Sequence, residues 1–181
     1  MKYIFLSALF FFVKAGSNPS QEVQPSKSKI SFSISNMIVN TVEGSFTDFS
    51  GEVFFDINKM ENSRFQIKIP VASIDTDNEE RDKHLMAEDY FYKDKFPYAV
   101  FTSSFVNKTA EGFDITGKLS VRGESKTITI PFSYTKTSDG YLLKGEYEID
   151  RYDFKIGDKG SFLMGRDVDL EIQCYIVEKQ N

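Results

Sequence analysis

One histidine, one cysteine and a dense run of carboxylates are the residues of this chain best equipped for chemistry. His84 lies in "SIDTDNEERDKHLMAEDYF", residues 73–91, and Cys174 lies near the far end of the 181-residue sequence. A thiol–imidazole pair would give a nucleophile, because the thiolate is the attacking form. It would need Cys174 beside His84, but Cys174 stands on the apolar phase of an alternating segment, where an inert buried thiol is expected. The run "DNEERDKH" has the atoms of a metal site, yet such charge on a helix is ordinarily solvated. Carboxylates are too numerous to single out an acid–base pair, and no phosphate-binding glycine loop is present. The expectation is no catalytic residue, no metal, no cofactor and no enzyme. His84 keeps two readings. It is a helix residue bonded to a neighbouring carboxylate or backbone group, or it meets a polar ligand group with Arg81, three residues earlier on the same helix face.

The elements that position these residues are strands. Period-two alternation recurs in "KISFSIS", "EVFFDI", "RFQIKIPVAS", "FDITGKLSV", "TITIPFSY", "YLLKGEYEI" and "VDLEIQCYI", the mark of strands with one apolar and one wet face. Residues 98–106, "YAVFTSSFV", are β-prone with a broken phase. The strands are expected at 29–48, 51–58, 64–71, 98–106, 112–121, 127–135, 141–149 and 167–177. Short turns join most of them, which implies an antiparallel meander. About eight strands with one apolar face each are best satisfied by closure into a barrel, with a two-sheet sandwich as the alternative. Residues 77–89 break the pattern. Thr76 or Asp77 is the expected N-cap, with Glu79 or Glu80 completing a capping box, and good helix formers follow. One short helix and an aromatic turn, "YFYKDKFP", are expected there.

In an up-and-down meander every second connection lies at the same end. "FTDFSG", the helix segment, "RGESK" and residues 150–165 therefore share one elaborate rim, while the other end has compact turns. Loops on a rigid scaffold are usual places for recognition. The apolar rim residues Phe49, Leu85, Met86, Phe91, Phe96, Phe154, Phe162, Leu163 and Met164 either plug the barrel end or form an adaptable gate.

Residues 1–15, "MKYIFLSALFFFVKA", read as a signal peptide: Lys2, an apolar run and a small-residue cleavage site. Residues 16–28 are Pro/Ser-rich and read as a flexible tether. Without Lys2 and Lys14, 20 basic residues face 27 acidic ones, a formal charge of −7. That sign argues against nucleic acid, whose binding rests on phosphate neutralisation, and against electrostatic adhesion to anionic membrane. A single cysteine cannot form an internal disulfide.

"SIDTDNEERDKHLMAEDYFYKDKFPYAVFTSSF", "ITGKLSVRGESKTITIPF", "RYDFKIG" and "FSISNMIVNTVEGSFTDFSGEVFFD" together resemble the bacterial YceI-like family over residues 29–178. The resemblance implies an all-β, lipocalin-like antiparallel barrel with one short helix over one end. It also implies a periplasmic or secreted location and an apolar tunnel for a long isoprenoid lipid, of quinone or polyprenyl phosphate type. The protein would carry or sequester that lipid, with a membrane protein as donor or acceptor, and with the oligomeric state open, a homodimer included. Laid over the alternation, the resemblance places Phe32, Ile34, Phe55, Ile67, Ile69, Leu85, Phe91 and Phe101 in the tunnel. From the second half of the chain it adds Ile115, Leu119, Ile130, Phe132, Phe154, Leu170 and Ile172. Arg81 and His84 would meet the head group. The family often has glycine after the phenylalanine of "RYDFKIG", where this chain has Lys155. The alternative is a filled barrel, a stress or interaction module whose loop-rich rim binds a protein.

Overall fold

The computed structural model describes residues 21–36, 40–157 and 164–178. The signal segment, residues 16–20 and the rim residues Phe162 and Leu163 lie outside the described residues. The rest forms one antiparallel sheet of eleven strand segments. In chain order these are β1 (Gln21–Val23), β2 (Lys29–Asn36), β3 (Asn40–Phe46), β4 (Ser50–Phe54), β5 (Arg64–Pro70) and β6 (Ile74–Asp75). The helix α1 (Glu79–Leu85) follows, then β7 (Tyr98–Lys108), β8 (Phe113–Val121), β9 (Glu124–Lys136), β10 (Gly140–Asp150) and β11 (Met164–Glu178). Each expected strand is present. The first is folded into the hairpin β2–β3, with Ile30 opposite Phe46 and Ile34 opposite Val42.

The sheet closes through three residues read from sequence as tether. Gln21 and Glu22 of β1 pair with Val53 and Glu52 of β4, while Gln21, Glu22 and Val23 pair with Glu178, Val177 and Ile176 of β11. The buried Gln21 side chain extends the first ladder, donating to the Phe55 carbonyl at 3.3 Å and accepting from the Phe55 amide at 2.7 Å. Residues 25–27 are a 3₁₀ turn, after which the Ser28 hydroxyl accepts from the Tyr175 amide at 2.8 Å. The barrel thus includes residues 21–23, ahead of the expected start at 29. Backbone pairing accounts for the difference: an edge left open between β4 and β11 would expose unpaired amides.

Turn chemistry fits the register. Val121 opposes Glu124 across a two-residue loop in which Arg122 and Gly123 have φ of 51° and 79°, as a tight hairpin with the right-handed strand twist requires. The broken phase of β7 is a bulge between Ser103 and Phe105, which leaves Phe105 45% exposed. In α1 the N-cap is Asn78 rather than Thr76 or Asp77; its side chain accepts from the Glu80 and Arg81 amides at 3.1 and 3.0 Å. Thr76 is instead buried, and its hydroxyl donates to Asp82 at 2.6 Å.

One stretch of wall lacks a ladder. β10 pairs with β11 from Gly140 to Asp150, but with β9 only from Tyr141–Lys136 to Gly145–Phe132. Beyond that point the two strands part. Glu124 and Lys126 of β9 oppose Val121 and Leu119 of β8, so they share the inward phase despite their charge. Residues 151–157 cross the gap as a strap, with Asp153 paired to Lys126 at 2.9 Å and Lys155 paired to Glu124.

Candidate functional site

The barrel interior divides into two halves. Away from α1 it is solid: the rings of Phe55, Phe65, Phe113, Phe132, Tyr134 and Tyr141 pack at centroid distances of 5.1–6.4 Å. Glycines make room for rings, with Phe132 lying over Gly145 and Phe101 over Gly117. Beneath α1 the interior is hollow. An apolar cavity of about 200 Å³ is lined by Phe32, Ile34, Ile69, Leu85, Phe91, Leu119, Phe154 and Leu170. Ile30, Val42, Phe46, Ile74, Ala99 and Val121 add to it, and Ile149, Ile156, Met164 and Val168 complete its apolar wall.

The residues expected along a full-length tunnel thus fall in two groups. The eight named first line the cavity. Phe55, Ile67, Phe101, Ile115, Ile130, Phe132 and Ile172 do not; they belong to the packed interior or pack against it. Alternation identifies the inward phase of a strand, but whether an inward side chain borders space or fills it depends on what it meets across the barrel.

Two arginines line the cavity, and no carboxylate does so among the described residues. Arg81 is positioned by α1 and tied to the preceding turn: its Nε donates to the Thr76 hydroxyl at 2.8 Å and its Nη2 to the Thr76 carbonyl at 2.5 Å. Arg151 is 3% exposed. It donates to the carbonyls of Gly165 at 2.8 Å and Ile156 at 2.6 Å, and to the Tyr152 hydroxyl at 3.0 Å. Sequence reasoning placed Arg151 on the rim without assigning it a ligand. Its signal is its place in "RYDF", at the start of the strap. The Arg81 guanidinium, tied to the Thr76 hydroxyl and carbonyl, brings a charged donor to an otherwise oily space, where low dielectric strengthens its bonds.

His84 is exposed and does not line the cavity. Its ring meets Tyr90, a lining residue, edge-on at 4.9 Å. It lies at the rim, whereas Cys174 opposes Leu143 in the packed half. Burial pushes the Cys174 thiol up to about 12, so the thiolate is scarce at neutral pH. No group of three or more His, Cys, Asp or Glu side chains among the described residues is placed to hold a metal ion.

The rim connections meet as the meander parity requires. Arg122 donates to the Lys155 carbonyl and, at 2.6 Å, to the Glu88 carbonyl. The Gly157 amide reaches the Asp89 carbonyl at 2.8 Å. Phe154, 2% exposed, projects from the strap to the cavity. Two wider concavities are outside the barrel. One, of about 750 Å³, is an open groove over residues 109–114, 131–133, 144–146 and 171–173. The other, of about 360 Å³, is acidic, with Glu43, Asp75, Asp77, Asp169 and Glu171.

The family model described as the YceI-like domain matches residues 21–176. Protein YceI of Escherichia coli O157:H7 is 30% identical over 159 residues, 83% of this chain and 82% of that one. A UPF0312 protein of Photorhabdus laumondii is 38% identical over 101 residues, 56% of this chain. The match spans about half the length of that relative, 53%. Among solved structures, Burkholderia cenocepacia BcnA superposes with a TM-score of 0.81 at 27% identity, over 86% of this chain and 99% of that one. A polyisoprenoid binding domain from Saccharophagus degradans shares the fold, with a TM-score of 0.69 at 13% identity, over 88% and 98% of the two chains.

Proposed function

Because this chain belongs to the YceI-like family, we propose that its half-hollow barrel holds the apolar part of an isoprenoid lipid, with the polar head beside Arg81. The observation that carries the reading is the cavity itself: an apolar wall whose charged members, among the described residues, are two arginines. Apolar transfer contributes about 0.8 kcal/mol per buried CH₂, so a dry, shaped space suffices for binding without catalytic groups. A head group bearing phosphate or carbonyl oxygen suits an arginine donor. The Saccharophagus degradans domain of the same fold binds polyisoprenoid, which supports the same ligand class here. His84 stands one ring away, behind Tyr90, and would act through that ring or on a head group projecting from the mouth.

On this reading the protein carries or sequesters the lipid rather than transforming it. Export rests on the apolar N-terminal run, and a membrane protein would give or receive the lipid. The test is native mass spectrometry and organic extraction of the protein purified from its own host. A copurifying prenyl lipid, lost on Arg81→Ala or on filling the cavity, is the expected result. A folded barrel free of lipid sinks the proposal and favours an interaction module whose loop-rich rim binds a protein.

A further inference from the structure

The hollow ends at one level of the barrel. Ile69 and Ala99 line it, but the next inward residues down the same two strands, Ile67 and Phe101, do not. Phe101 opposes Leu119, which does line the cavity. The Phe101 ring lies across Gly117: a methyl group there would meet its Cζ and Cε2 atoms at 2.6 and 2.8 Å. The ring occupies the space that a side chain at 117 would otherwise take, directly beneath the cavity. Beyond it lies the aromatic packing of Phe55, Phe113 and Phe132. A cavity of about 150 Å³ admits the six carbons of benzene, so the 200 Å³ here suit an apolar arm of about eight carbons.

We infer that Phe101, seated on Gly117, is a depth stop that sets the length of apolar chain the barrel accepts. The inference rests on the lipid-holding reading and narrows it: the site takes a short arm, or the last portion of a longer chain, rather than enclosing a polyprenyl tail. Ring and glycine form the stop together, since without Gly117 the ring could not lie across the interior.

The test is calorimetric titration of the full chain with linear primary alcohols from about six to about sixteen carbons. Each additional buried methylene should tighten binding about fourfold, up to about eight carbons, beyond which affinity levels off. Phe101→Ala removes the ring and should move that plateau outward by about six carbons. Phe101→Leu, the milder change should the first perturb folding, should move it less. Affinity rising without a break to the longest alcohol, or a break unmoved in both variants, overturns the depth stop and leaves the lipid reading standing. Failure of the folded protein to bind any alcohol overturns the lipid reading, and the depth stop with it.

Discussion

Lys155 is one of four non-glycine residues with positive φ among the described residues, beside Asp77, Tyr92 and Arg122. It follows Phe154 at the end of the 3₁₀ turn, with φ 56° and ψ 32°, the left-handed region that favours glycine. Glycine would adopt this conformation without steric cost, whereas this chain places there a lysine tied to Glu124. An exposed ion pair contributes at most about 1 kcal/mol, less than the ~1–2 kcal/mol cost of left-handed backbone for a residue with a Cβ. Lys155→Gly should thus raise unfolding stability by about 1 kcal/mol in urea titrations; a loss would show that the Glu124 tie dominates. At the opposite end, a hydrogen bond from Tyr175, helped by Lys27, lowers Asp139 to about 2 from 3.8. Its folded value lies below its unfolded one, so its contribution is complete above about pH 4 and fades as pH falls towards 2. Asp139→Asn should flatten that part of an acid-unfolding curve, leaving the variant less stable than the parent at neutral pH and level with it near pH 2.

Among elements, the strap at 151–157 covers the part of the wall that lacks a ladder. It bridges strands that share no ladder beyond Gly145 and Phe132, and it places Phe154 against the cavity. Phe154→Ala should cost about 3 kcal/mol, the low end of the range for buried phenylalanine because the site already borders a void. Chemical denaturation measures it, and a loss below about 1 kcal/mol would mean that the ring contributes little packing. The strap's fit was partly legible in the sequence. Continuing the inward phase of "TITIPF" back through Lys126 to Glu124 puts two charges where the barrel should be oily, a sign that something other than core faces them. The closing strand was not legible: "QEV" sits among prolines and serines, and its role depends on partners more than a hundred residues away at 176–178. The helix was expected in its correct place, but its cap was assigned two residues or one too early because Thr76, Asp77 and Asn78 all have capping side chains.

For the whole molecule, the consequential division is between the filled half and the hollow one. The antiparallel meander followed from alternation and turn spacing, since each inward phase needs a partner face; closure into a barrel rather than a two-sheet sandwich did not, because both present the same alternation. The extent of the hollow did not, because it is set by which rings lie over glycines, as Phe101 does over Gly117. A void under a helix is also a stability deficit. Ala99, 6% exposed, lines it, so Ala99→Leu should stabilise the lipid-free protein by about 1 kcal/mol while weakening lipid binding. Calorimetric melting with and without ligand would show both effects, and a variant gaining stability without losing affinity would place the ligand elsewhere. The parting of β9 from β10 has a further consequence for the molecule as a material. Main-chain groups along 146–150 and 124–131 have a ladder partner on one flank only, so this seam is where the wall should first admit solvent. Deuterium uptake by these amides should precede that of β8, whose residues 113–121 are laddered on β9 and, for most of their length, on β7.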